Sequence, residues 1–154
     1  MRKDGKTPYI SHPFRVAFTV RHLFEEDDIV ALCTALLHDV IEDTRVDFDE
    51  LEALFGPEIA RAVACLSKDK RTPEKERETA FYDQIARGPW QARLVKLADS
   101  YDNICDSATA TAAANALDKG RLAIKAAGDD PRLRRAINLV EKLIEAKEKS
   151  DHSA

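Results

Sequence analysis

Four places in this 154-residue sequence carry side chains that could do chemistry together. His38-Asp39 is followed at once by Glu42-Asp43, in the run His-Asp-Val-Ile-Glu-Asp. On a helix, 38 to 42 and 39 to 43 are i, i+4 steps, so an imidazole and three carboxylates share one broad face. The residues before them, Ala31 to Leu37, are nearly all apolar. A buried helix that suddenly carries such groups suffers desolvation unless they are paired or metal-bound. A solvated helix end, with Asp39, Glu42 and Asp43 exposed, is the other reading of the same residues. His12 stands at the start of an earlier helix, a place where an isolated histidine commonly has no role. Asp99 follows the apolar run Leu94-Val95-Lys96-Leu97-Ala98, and mid-helix burial is unfavourable for a carboxylate. Either Lys96, three residues back on the same face, pairs with it, or it is a metal ligand.

Taken together, two imidazoles (His12, His38) and two carboxylates (Asp39, Asp99) on three helices would converge on one divalent ion. Such a mixed N/O set suits Mn²⁺, Fe²⁺ or Zn²⁺, and the absence of thiolate argues against a structural zinc. An ion with open positions would hold a water and lower its pKa. Glu42 and Asp43 would then orient that water or handle protons.

These residues must be positioned by helices. Ser11 is placed to cap a helix running through Val16, Val20 and Leu23. Apolar residues at Ile29, Leu32, Cys33, Leu36 and Leu37 predict a helix from Asp28 to about Asp43. Asp47 and Glu50 form a capping-box pattern for a short helix that Gly56 stops. Pro57 opens the next helix, and Thr72-Pro73 a strongly charged one from Glu74 to about Arg87. Gly88-Pro89 breaks that helix, and a long one follows from Trp90 through Ile104. The alanine-rich stretch from Ser107 to Ala127 reads as helical with room for an interruption, and Asp130-Pro131 begins the last helix. The tail from Lys147 reads as frayed. There is no strong strand pattern, no repeat and no Gly-rich phosphate loop. The fold class is all-α, held by apolar helix faces.

The length fits one domain and allows about 68–70% of the unfolded surface to be buried without disulfides. Hydrophobic residues are 44% and charged residues 34%, a globular rather than disordered balance. Only 5 Gly and 6 Pro are present, which argues against a many-stranded sandwich or barrel. The net charge of −4 argues against binding along a nucleic-acid backbone. No apolar run reaches the ~20 residues of a membrane span, and the first residues lack a signal-peptide core. Cys33, Cys65 and Cys105 are scattered and read as reduced core residues of a cytoplasmic protein.

The pattern His12…His38-Asp39…Asp99 resembles that of the HD superfamily of metal-dependent phosphohydrolases. The flanks Arg2-Lys3-Asp4-Gly5, Thr7-Pro8-Tyr9-Ile10-Ser11-His12-Pro13, Ala35 to Thr44, Leu54-Phe55-Gly56 and Leu94 to Asp99 with Asn103 are similar to the hydrolase domain of the RelA/SpoT-homologue family. In size the chain is similar to the stand-alone small alarmone hydrolases. Glu42-Asp43 after the His-Asp pair sets this family apart from most HD proteins. The resemblance implies an HD-domain helical bundle as a single domain over 1–147, with a frayed tail over 148–154. It implies Mn²⁺ held by His12, His38, Asp39 and Asp99, with Glu42 and Asp43 activating the attacking water. Arg2, Lys3 and Asn103 would contact the nucleotide, and Lys68, Lys70 and Arg71 would either help with phosphates or form a solvated turn. The implied reaction is 3′-pyrophosphohydrolysis of ppGpp or pppGpp, alarmones of the stringent response, to GDP or GTP and pyrophosphate. Other readings are an HD enzyme acting on other nucleotides and a helical interaction module with a relic site. The chain departs from the family at Ser100 and Asp102, where basic or neutral residues are usual. The family normally has a helix before the Arg-Lys motif, with which this sequence starts: either the true start lies upstream, or the bundle lacks one wall, and an apolar face left uncovered there would favour a homodimer.

Overall fold

The structure, a computed structural model, describes residues 8–151. It is all-α, with no strand among those residues. Helix α1 (Ser11–Phe18) runs into a π-helical turn, Thr19–Leu23. That turn closes with the Phe24 N–H donating to the Thr19 carbonyl, and Glu25 then takes a left-handed φ of 59°. Ser11 does not cap α1: Ile10 holds that position, and the Ser11 hydroxyl donates to the Pro8 carbonyl instead.

Helix α2 (Ile29–Leu37) is capped by the Asp28 side chain, which accepts from the Ala31 N–H. The expected single helix from Asp28 to Asp43 is broken at the two residues of greatest interest. α2 ends at Leu37, and α3 (Val40–Asp43) starts afresh after Asp39. Asp39 sits at φ −100°, ψ −1°, the sparsely populated bridge region between strand and helix conformations. An i, i+4 projection from a continuous helix therefore does not describe how His38, Asp39, Glu42 and Asp43 are arranged.

Helix α4 (Phe48–Phe55) begins with the expected capping box: Asp47 accepts from the Glu50 N–H, and the Glu50 side chain accepts from the Asp47 N–H. Gly56, at φ 85°, ends it and leads directly into α5 (Pro57–Cys65). Then follow α6 (Glu74–Arg87), α7 (Trp90–Cys105) and an uninterrupted α8 (Ala110–Ala127) capped by Thr109. A 3₁₀ turn, Pro131–Leu133, precedes α9 (Arg134–Asp151), whose helical backbone continues past Lys147.

Helix α7 is the axis of the bundle. It packs against α8, α2, α9 and α1, and Leu94, Val95, Leu97, Ala98 and Ile104 are almost fully buried on it. Each large side chain buried in this way stabilises the fold by about 1.5–3 kcal/mol through loss of apolar contact with water. A second, smaller cluster of Leu51, Ile59, Ala60 and Val63 joins α4 to α5 under α2. Cys105 is exposed rather than in the core, Cys33 is half-buried and Cys65 buried; all three are free thiols. Among the described residues, the large apolar side chains left in solvent are Ile10, Phe14, Phe18, Ile29, Leu36, Leu54 and Phe55, all before residue 56. No helix among the described residues is long and apolar enough to cross a membrane.

One close approach decides how α6 turns into α7. A Cβ at Gly88 would fall on the Cys65 sulfur, far inside contact distance, and that sulfur is fixed by donating to the Gln84 carbonyl. Gly88→Ala should therefore cost about 1–3 kcal/mol by overpacking, measured by denaturant unfolding. Adding Cys65→Ala should relieve the clash, so the double variant should be more stable than the two single losses summed. Strict additivity would show that the contact does not limit packing.

Candidate metal centre

The residues expected to hold a metal come from three separate pieces of chain: the first turn of α1, the His38-Asp39 junction between α2 and α3, and the middle of α7. His12 and His38 are 3% and 4% exposed and Asp99 8%. Their rings and carboxylate face one another. His12 Nε2 lies 3.2 Å from Asp99 Oδ1 and 3.9 Å from Asp39 Oδ2. His38 Nε2 lies 3.1 Å from Asp39 Oδ2 and 4.0 Å from Asp99 Oδ1. Ligand atoms about 2.1 Å from one ion stand about 3–4.2 Å apart, and all four separations fall in that span. His12, His38 and Asp99 form a group that could hold a metal ion.

The hydrogen bonds on the far side of each ring decide which nitrogen faces inward. His38 Nδ1 donates to the Ala35 carbonyl at 2.9 Å, which turns Nε2 inward; burial alone would push this imidazole down, but the facing Asp39 and Asp99 carboxylates raise it. That buried Nε2 makes no well-formed hydrogen bond, but it faces Asp39 Oδ2 at 3.1 Å, the oxygen that also accepts from Tyr9. A buried ring nitrogen facing a carboxylate holds a proton or a metal ion, and an ion taking that place must displace the proton. On the other ring, His12 Nδ1 lies 2.6 Å from Asp102 Oδ2, which likewise turns its Nε2 toward the cluster. Two inward-facing ring nitrogens and two carboxylates are a donor set that fits a divalent ion.

Asp99 is held on both oxygens. Oδ2 takes the Lys96 ammonium at 2.8 Å, and Oδ1 accepts from the Asn103 amide at 2.6 Å while facing His12. The Lys96 pair and the metal-facing arrangement, which are alternatives on sequence grounds, therefore coexist, one per oxygen. Burial pushes the Asp99 carboxyl up, but Lys96 and the two histidines outweigh it and hold the group well below the ordinary carboxylate range. Burial alone would push His12 down. Its contacts with Asp102 and Asp99 win and raise it to about 9. Loading an ion must therefore displace protons from the cluster.

Tyr9, to which the sequence assigns no role, donates its hydroxyl to Asp39 Oδ2. Burial and the facing carboxylates Asp39 and Asp43 hold its proton on. Only its place in the stretch leading to His12 could have flagged it. Asp39, with its side chain 28% exposed, is more open than the histidines, so the centre opens toward Asp39 and α3. Glu42 is half-buried and Asp43 exposed on that helix. Above it, Lys70 Nζ donates to the Glu42 carbonyl at 3.4 Å. Lys68 lies over the Phe81 ring, and Arg71 turns to Asp69. Asp102, a departure on sequence grounds, does not stand as an uncompensated charge: it meets both His12 and Arg15. Arg2 and Lys3 lie outside the described residues.

Known proteins share this architecture. Guanosine-3′,5′-bis(diphosphate) 3′-pyrophosphohydrolase MESH1 from Danio rerio is 44% identical over 100 residues, covering 65% of this chain and 56% of that protein. The Homo sapiens protein of the same name is 43% identical over 106 residues, covering 68% and 59%. The chain thus matches somewhat more than half the length of these curated relatives. A solved structure of a metazoan orthologue of SpoT, described as hydrolysing ppGpp, superposes with a TM-score of 0.75 at 27% identity, over 90% of this chain and 82% of that one. A Listeria monocytogenes structure gives 0.71 at 23% identity over 90% and 96%, a likeness of fold. A family model for the HD domain matches residues 1–153. With His12, His38-Asp39 and Asp99 gathered at one point of an all-α bundle and that model spanning almost every residue, the chain belongs to the HD domain family.

Proposed function

We propose that this protein is a Mn²⁺-dependent guanosine-3′,5′-bis(diphosphate) 3′-pyrophosphohydrolase, converting ppGpp or pppGpp to GDP or GTP and pyrophosphate. The observation that carries the metal-dependent part is the meeting of His38 Nε2 and His12 Nε2 with the Asp39 and Asp99 carboxylates, at separations of 3.1–4.0 Å. The substrate rests on the activity named for the MESH1 relatives and the SpoT orthologue.

In this reading His12, His38, Asp39 and Asp99 hold the ion. A divalent ion so bound supplies Lewis-acid charge and an acidified water. The remaining work belongs to side chains. Glu42 and Asp43 stand on α3 directly after Asp39, on the more open side of the centre. One of them takes the proton as the water oxygen bonds to the 3′-linked phosphorus. The bond from that phosphorus to the 3′-oxygen breaks, the 3′-oxygen gains a proton, and pyrophosphate leaves with the water's oxygen. Lys96 keeps Asp99 ionised from the side away from the ion. Arg2 and Lys3 contact the nucleotide, and Asn103, anchored on Asp99, hydrogen-bonds its nucleoside part. The free thiols support a cytoplasmic protein.

A Mn²⁺-dependent hydrolysis assay tests this directly, with ppGpp, GTP and dNTPs in competition. Preference for ppGpp is expected. Preferred turnover of GTP or dNTPs would make this another kind of HD nucleotide phosphohydrolase, and purified protein without stoichiometric metal would point to a relic site. Asp39→Ala should abolish turnover through loss of metal, read by elemental analysis; unchanged activity and metal content would refute the site. Glu42→Ala should retain the metal while slowing turnover by ~10²-fold or more, the usual scale for an acid–base group. Loss of metal in that variant would mean Glu42 is a ligand rather than a proton acceptor.

A further inference from the structure

We propose that Asp102 is a positioning residue for His12, fixing the ring so that Nε2 is presented to the ion, with Arg15 as the clamp that holds Asp102 in place. The inference rests on the metal-dependent reading above and extends it to two residues outside the ligand set.

The geometry is a chain of charge-assisted contacts running outward from the centre. His12 Nδ1 meets Asp102 Oδ2 at 2.6 Å. Arg15 then grips the same carboxylate with two nitrogens, Nε to Oδ1 at 2.6 Å and Nη2 to Oδ2 at 2.9 Å. Two parallel N–H···O contacts of this kind fix orientation as well as charge. Arg15 is itself steadied by the Ser11 hydroxyl at 3.3 Å and by Asp106 at 3.6 Å. His12 and Arg15 are three residues apart on α1, and Asp102 comes from α7. One buried carboxylate, 5% exposed, thus staples the first helix to the central one at the point where a ligand must be aimed.

An ionised carboxylate at Nδ1 does two things for a ligating imidazole. It selects the tautomer with the proton on Nδ1, and it raises the electron density at Nε2. The counterpart on His38 is the neutral Ala35 carbonyl, so the two histidines are oriented by different means. Asp102 also explains how an acid is tolerated beside a site for an anionic substrate: Arg15 offsets its charge, and the Asp102 carboxylate meets the far nitrogen of His12 rather than the one aimed at the ion.

Mn²⁺ titration calorimetry on the full chain tests the proposal, beside NMR of the His12 ring protons in the Zn²⁺-loaded protein. Asp102→Asn keeps the shape but loses the charge, and its amide can donate to Nδ1 and favour the wrong tautomer. It should weaken Mn²⁺ binding by ~10- to 100-fold, the usual cost of losing such an outer partner. It should also abolish the strongly hydrogen-bonded Nδ1 proton of His12, with helix content unchanged. Asp102→Glu should recover part of the affinity, which a role in packing alone would not allow. Arg15→Met should lower affinity in the same direction by less, and it serves as the test if Asp102→Asn fails to fold. Asp102→Asn binding Mn²⁺ like the unsubstituted chain, with the His12 proton still present, overturns the role of Asp102 while leaving the metal site intact. An unsubstituted chain that binds no Mn²⁺ overturns both.

Discussion

The bundle depends on one constraint: a group of ionisable side chains is held inside it and must be neutralised there. Among the described residues, His12, His38, Asp99 and Asp102 are four of the seven polar or charged side chains classed as buried, and all four meet at one place. In a low-dielectric interior, none of them is tolerable alone. They persist because each has a partner: Lys96 and Asn103 for Asp99, Arg15 for Asp102, Asp102 for His12 and a backbone carbonyl for His38. The inward nitrogen of His38 faces Asp39 Oδ2 at 3.1 Å. The inward-facing atoms of His12, His38 and Asp99 form a group that could hold a metal ion.

That requirement accounts for the architecture. Helix α7 carries Asp99 and Asp102 three residues apart while burying Leu94, Val95, Leu97 and Ala98 around them. Its apolar side chains make it the axis, and its carboxylates tie α1 to that axis. Helix α2 is apolar along its length and delivers His38 at its final turn. The break after Leu37 is functional in the same sense. It places Asp39 in a bridge conformation, where its carboxylate can reach both histidines and Tyr9. It also starts α3 afresh, so that Glu42 and Asp43 follow Asp39 on a separate short helix.

The helices were legible in the sequence where local chemistry sets them. Asp47 with Glu50, Gly56, Pro57 and Gly88-Pro89 mark boundaries through capping and backbone geometry, and the structure puts boundaries there. The grouping of His12, His38, Asp39 and Asp99 was legible from residue type, because such polar groups amid apolar runs need a shared partner. What the pattern did not carry is tertiary. The helix break at His38-Asp39 is not carried by the apolar periodicity, which runs on through Val40 and Ile41. Ser11 looks like a cap, yet Ile10 starts the helix. Tyr9 and Asp102 acquire their roles only through partners 30 and 90 residues away. Asp102 even reads from sequence as an unwelcome charge, because Arg15 is invisible as its partner until α1 lies against α7.

The most direct measurement is a calorimetric titration of the purified, metal-stripped chain with Mn²⁺, repeated on His38→Ala. One saturable site per chain, lost when the His38 imidazole is removed, is the outcome that a single ion shared by these side chains requires. No saturable site in the unsubstituted chain, or undiminished affinity without His38, would contradict it and leave the buried nitrogen without its cation.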